Sequence, residues 1–180
     1  MKALLIAILL VSTTQAFGEM NLPQLHSINR VMLVAPYSCH GDYRTSALFL
    51  SNYSKERNSP ELLYNGACGS QNYIQGLTAG DDFALVADLG EIPIEVITAS
   101  AAFNSGTILD ANAFKEYQPV KQNHSYVVLI SKAEIRSLFV IKVLYQIEDG
   151  PMVFDYAVKS YSIQSTKSES PGFSWSAKNR

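Results

Sequence analysis

The chain contains only two cysteines, one tryptophan and three histidines in 180 residues. No Cys-x-x-Cys occurs, and a four-ligand zinc set would have to join His40 to the distant His26 or His124, so no metal is expected. No apolar run reaches the roughly 20 residues that cross a bilayer as a helix, so no membrane span is expected in the mature chain. Basic clusters are missing too. The densest basic stretch holds Lys132, Arg136 and Lys142, spaced like solvated strand and turn charges, which argues against nucleic acid as a partner. There is no Gly-x-Ser-x-Gly, no His-Glu-x-x-His and no Gly-rich phosphate loop, so no cofactor is expected. Asp110-x-Asn112 opens like a calcium loop, but Phe114 and Lys115 stand where a ligand and a glycine belong.

The most informative stretch is the beginning. Met1-Lys2 is short and positive, residues 3–11 are an unbroken apolar run, and Ser12-Thr13-Thr14-Gln15-Ala16 puts small residues before a cut after Ala16. That order is a secretory signal peptide over 1–16, without a lipid-attachment cysteine behind it. The expected location is secreted or periplasmic. Without Lys2, the remainder has 13 basic and 16 acidic residues, a net charge of −3. Its length suits one domain, expected over 17–163, with a Ser/Lys/Glu/Pro-rich tail over 164–180.

Export changes the reading of Cys39 and Cys68. In an oxidising compartment a lone pair is expected to be joined. The two lie 29 positions apart, and closing a loop of that length contributes roughly 3–4 kcal/mol in the chain-entropy model. The competing reading is a thiol nucleophile at Cys39, with His40 or His124 as base and an acid such as Asp42. Neighbouring residues point together only in a turn, which weighs against Cys39–His40. Asp81-Asp82 and Asp88/Glu91 are near enough in sequence for paired-carboxylate hydrolysis, but turn acids look the same.

Along the chain, short apolar runs alternate with Gly, Asn, Asp and Pro. Strands are expected over 30–35, 61–64, 83–89, 92–100, 126–130, 138–147 and 152–163. Residues 45–50 fit a strand or a helix, 52–60 read as an exposed loop, and 104–117 read as irregular. Ser131-x-x-Glu134 matches a capping box, but Val140, Ile141 and Val143 limit it to one helical turn. The punctuation predicts an all-β domain with at most one or two short helical turns: an antiparallel β-sandwich or a small soluble β-barrel. An outer-membrane barrel is disfavoured because 30–35 and 83–89 lack alternation.

The hairpin around Asp149-Gly150 can be registered. Ile147 is expected opposite Met152, Tyr145 opposite Phe154, Val143 opposite Tyr156 and Ile141 opposite Val158, giving one apolar face. Pro151 has no N–H to close a two-residue turn, which argues for a wider loop.

The functional expectation is binding rather than catalysis. Tyr37, Tyr43, Tyr53, Tyr64 and Tyr73 fall in or beside the loops around the two cysteines, and tyrosine supplies large contact area with a polar tip. Trp175, alone in the polar tail, is a further candidate anchor. The expected partner is a protein or glycan ligand in the cell envelope or outside the cell. The alternatives are a small exported hydrolase with Cys–His or paired-carboxylate chemistry, and an envelope assembly factor that adds a strand to a partner. The Asn52 and Asn123 sequons are read as chance matches, because the Met-Lys start suits a bacterial export.

Overall fold

A computed structural model describes residues 22–34, 43–64, 72–76, 82–98, 114–132, 134–148 and 150–163. The described chain is mostly antiparallel β-sheet. In order come β1 (Ile28–Val34), a 3₁₀ turn (Tyr43–Ser46), β2 (Ala47–Leu48), α1 (Asn52–Glu56), β3 (Leu62–Tyr64) and β4 (Tyr73–Gln75). Then follow β5 (Phe83–Gly90), a second 3₁₀ turn (Ile94–Val96), β6 (Phe114–Lys115), β7 (Tyr117–Pro119), β8 (Ser125–Ser131), β9 (Ile135–Gln146) and β10 (Pro151–Ile163). Six strands form one sheet in the order β1-β10-β9-β8-β5-β6, and four form a second in the order β2-β3-β4-β7. The result is a sandwich-like all-β fold and not a closed barrel.

The main core lies between the sheets. Leu48, Leu62, Tyr64 and Ile74 from the small sheet meet Val86, Val128, Phe139, Ile141, Val143 and Phe154 from the large one. At one point the two layers approach backbone to backbone. A Cβ added to Gly76 would sit 2.0 Å from the Ala84 Cβ, so only glycine fits there.

The large sheet has a second buried patch on its outer face. Val127, Leu138, Val140 and Ala157 are covered by Ile94 and Ile97. This explains why 92–98, the described part of the expected 92–100 strand, does not form one. Pro93 leads into a single 3₁₀ turn, whose Ile94 and the following Ile97 cap the sheet from outside. It also explains why β9 lacks clean alternation, since residues 137–141 are buried on both faces.

One further expectation gives way. Within 52–60 the chain forms α1, because the Ser51 hydroxyl caps it by accepting from the Ser54 N–H at 3.1 Å. The expected helical turn at 131–134 includes Ala133, outside the described residues, and the residues flanking it pair as strands. Lys132 and Ile135 exchange both backbone hydrogen bonds, at 2.8 and 3.1 Å, closing a tight hairpin between β8 and β9.

The last hairpin shares the expected core face, but its pairing is displaced. Phe154 opposes Val143, Tyr156 opposes Ile141 and Val158 opposes Phe139, with an irregularity between Val153 and Phe154. Tyr145 and Ile147, assigned to that face in sequence, are instead 49% and 45% exposed. The cause is the turn. The Gly150 N–H donates to Ile147 O and the Ile147 N–H to Pro151 O, so the loop is three residues wide, as the missing Pro151 N–H requires. Val143→Ala is therefore expected to cost about 2 kcal/mol, and Tyr145→Ala less than about 1 kcal/mol, in urea denaturation. Equal losses would contradict this register.

Candidate functional site

Of the tyrosines singled out in sequence, Tyr64 is fully buried in the main core, with Gln146 Nε2 3.5 Å from its hydroxyl. It offers no surface. Tyr53 lies in α1 beneath the Arg57 guanidinium, whose central carbon is 3.7 Å from the ring centroid. Arg57 in turn reaches Glu134 at 3.3 Å, so this cation is shared between a ring and a carboxylate. Among the described ones, Tyr73 alone joins another aromatic. Its ring packs on Tyr117 with centroids 5.7 Å apart and planes tilted by 59°. Cys39, Cys68, Tyr37, Trp175 and the Tyr43 side chain lie outside the described residues.

The Tyr73–Tyr117 pair is built by strand register. Tyr73 opposes Pro119 and Gln75 opposes Tyr117 across β4 and β7. Opposed residues in an antiparallel pair share a face. Tyr73, Gln75, Tyr117 and Pro119 therefore stand together on one side, while Ile74 and Gln118 turn inward and are buried. The buried Gln118 amide reaches Val86 O at 3.3 Å and ties β7 to the large sheet. Tyr117 is 59% exposed, among the most exposed of the large apolar side chains described. The site therefore has a buried floor and an open aromatic surface, edged by an amide and a proline. Tyr117 and Gln75 were missed in sequence because 104–117 reads as irregular. Only pairing across the sheet brings them to Tyr73.

A second cluster concerns the hydrolase reading. Asp88, at the end of β5, accepts from His124 Nδ1 at 2.8 Å, from the Gly90 N–H at 2.9 Å and from Lys121 Nζ at 3.0 Å. Burial alone would raise the Asp88 carboxyl, but these donors outweigh it and hold it below the ordinary carboxylate range. The geometry orients the imidazole as an acid–base pair would. It also fixes the turn before β8, where Asn123 has φ 66° and its N–H and the His124 carbonyl both bond Val143. The next hydroxyl, Ser125 Oγ, donates to Ile92 O and is buried. The paired acids Asp88 and Glu91 thus separate in role: Asp88 is spent on three donors, and Glu91 is exposed.

A third cluster is internal. Glu61 is fully buried, accepts the Leu50 N–H at 2.9 Å and is bonded by Ser54 Oγ. Ser54 and Ser51 hydroxyls lie 2.9 Å apart, and Ser51 Oγ meets Tyr161 OH at 2.6 Å. Nearby, Lys132 Nζ is held by Ser59 Oγ and by the Ser59 and Pro60 carbonyls. Burial raises the Glu61 carboxyl, and the bonds from Ser54 and Leu50 and the Lys132 charge offset it only partly. Burial likewise lowers the Lys132 amine against the pull of Glu61. This network joins α1 and β3 to the ends of β8 and β10, which is a structural task.

Among the described residues no group of three His, Cys, Asp or Glu side chains is arranged to hold a metal ion, and no helix is long and apolar enough to cross a membrane. Comparison with family models, curated proteins and solved structures found no match.

Proposed function

We infer that the protein is an exported binding domain whose ligand rests on the Tyr73–Tyr117 face. The observation that carries this reading is the tilted aromatic pair with Tyr117 open to solvent and Gln75 and Pro119 beside it. Tyrosine rings offer large apolar area at low conformational cost, each with a polar tip. A side-chain amide next to them adds donor and acceptor capacity, which suits a glycan or a protein segment of the envelope or extracellular space. Export over the 1–16 leader and a Cys39–Cys68 disulfide belong to the same reading. Titration of denatured, unreduced protein is expected to find no free thiol, and two free thiols would overturn that part.

The test is retention of the exported protein on isolated envelope polysaccharide and on isolated envelope protein. One of the two is expected to retain the wild type, with Tyr117→Ala and Tyr73→Ala each weakening retention roughly tenfold or more, as truncation of an aromatic anchor does. Tyr53→Ala should leave it unchanged. Equal retention by all three variants would overturn the reading.

The oriented Asp88–His124 pair favours the hydrolase as a second reading. It requires that the wild type degrade the retained material and that His124→Ala abolish degradation while the fold persists. Degradation by both, or by neither, removes it.

A further inference from the structure

β1 stands at one edge of the large sheet as described. Among the described residues no strand pairs with its outer side. Edge strands are usually blunted by lysines, prolines or bulges. Here Ile28, Met32 and Val34 are 46%, 58% and 40% exposed, and they share one face because they alternate along the strand. The only charge in β1, Arg30, stands on the same face. Its Nε and one terminal nitrogen form a forked pair with Asp155 of β10 at 2.8 and 3.0 Å. The charge that would repel another strand is thus matched within the chain. Beside it on the same outer face, Met32 opposes Val153, and Val153 opposes the half-exposed Tyr145.

We propose that the β1 edge pairs with β1 of a second copy of this chain, joining two large sheets into one continuous sheet across a two-fold axis. The pairing register follows from geometry. In an antiparallel pair, opposed residues point to the same face, so the positions paired must have the same parity. Centring on Arg30 would oppose two like charges, and centring on Met32 would leave Ile28 without a partner. Centring on Val31 overlaps all of Ile28–Val34. It sets Arg30 against Met32 of the other copy, Ile28 against Val34, and Asn29 against Leu33. No like charges meet, and the exposed apolar row of each copy faces that of the other. Such a self-complementary patch is what an isologous dimer requires.

The register makes the test specific. Sedimentation of the exported protein over a wide concentration range should show a monomer–dimer equilibrium. Met32→Lys places a lysine opposite Arg30 twice in the dimer and should weaken association roughly tenfold or more. Met32→Glu removes the same apolar side chain but places a carboxylate opposite Arg30, and should retain the dimer. Melting temperatures check that both variants fold. Hydrogen exchange of the wild type adds a measurement without substitution: the Ile28–Val34 amides should gain protection as concentration rises. A wild type that stays monomeric overturns the proposal, whether β1 is protected by its own chain or not. So does a dimer indifferent to Met32→Lys, or one weakened equally by lysine and glutamate.

Discussion

Gly76→Ala should cost about 3 kcal/mol or more, because the new methyl has no free space and its nearest neighbour belongs to a buried strand. The methyl would lie 2.0 Å from Ala84 Cβ and 3.2 Å from Ala84 Cα. Neither atom can turn aside as the end of a flexible side chain would. The sheets must separate locally, and the main core beneath Ile74 and Val86 opens with them. A second substitution supplies the control. Ala84→Gly alone should cost about 1 kcal/mol, the usual penalty of glycine in a strand. Combined with Gly76→Ala it should recover part of the loss, because the closest clashing atom is gone. Urea denaturation of the two single variants and the double variant measures the coupling. A double variant no more stable than Gly76→Ala would show that this close approach is not what requires glycine.

Removing Glu61 should be of similar size. Glu61→Ala leaves the Leu50 N–H buried without its acceptor and takes the carboxylate from the Ser54 hydroxyl, a loss of about 3–5 kcal/mol in all at roughly 1–3 for the orphaned N–H plus the cavity and the lost charge-assisted bond. Glu61→Gln should stay within about 1 kcal/mol of the wild type, since its amide oxygen can accept from Leu50 and its NH₂ can donate to Ser54. The two variants also separate in pH. The folded Glu61 carboxyl titrates above its ordinary value, so the folded state holds the proton more tightly than the unfolded chain. Its contribution is complete below about pH 4.5 and is lost as pH rises through the folded value. Glu61→Gln should remove that decline. Denaturation at several pH values between 4 and 8, roughly the range over which a raised carboxyl titrates, checks it. A glutamine variant as unstable as the alanine one would mean the carboxylate charge itself is required.

Sheet class was legible in this chain because its strands obey simple patterns. β8, β10 and most of β5 fall where Val, Ile, Leu and Phe cluster between turn residues. What could not be read depends on partners far away in sequence. Tyr64 and Tyr73 sit in equivalent-looking runs, yet one fills the core and the other lies beside the exposed Tyr117. Local residue types do not decide this; the register between β4 and β7 does. Glu61 carries no sign in sequence that it is buried, since its partners are a backbone N–H and a serine hydroxyl. Ser51 could have been found. A serine followed by four residues that tolerate a helix is an ordinary start signal, outweighed by the surrounding Asn, Lys and Pro. His124 and Asp88 lie 36 positions apart, so nothing local in the sequence pairs them.

The pairing of the first described strand with the last also bears on when this protein can fold. Ile28 meets Ala157, 129 positions later, and β1 has no other strand to lie against among the described residues. As the chain is synthesised, β1 appears early and must wait for β10. Contacts of such long range are entropically slow to close. Until β10 arrives, Val31 and Leu33, the core-facing side of β1, have no neighbouring strand to hold them in the core, and the large sheet lacks its edge. A chain built this way remains open to holding factors through most of its synthesis. The large sheet is complete only when the final hairpin docks against that early strand.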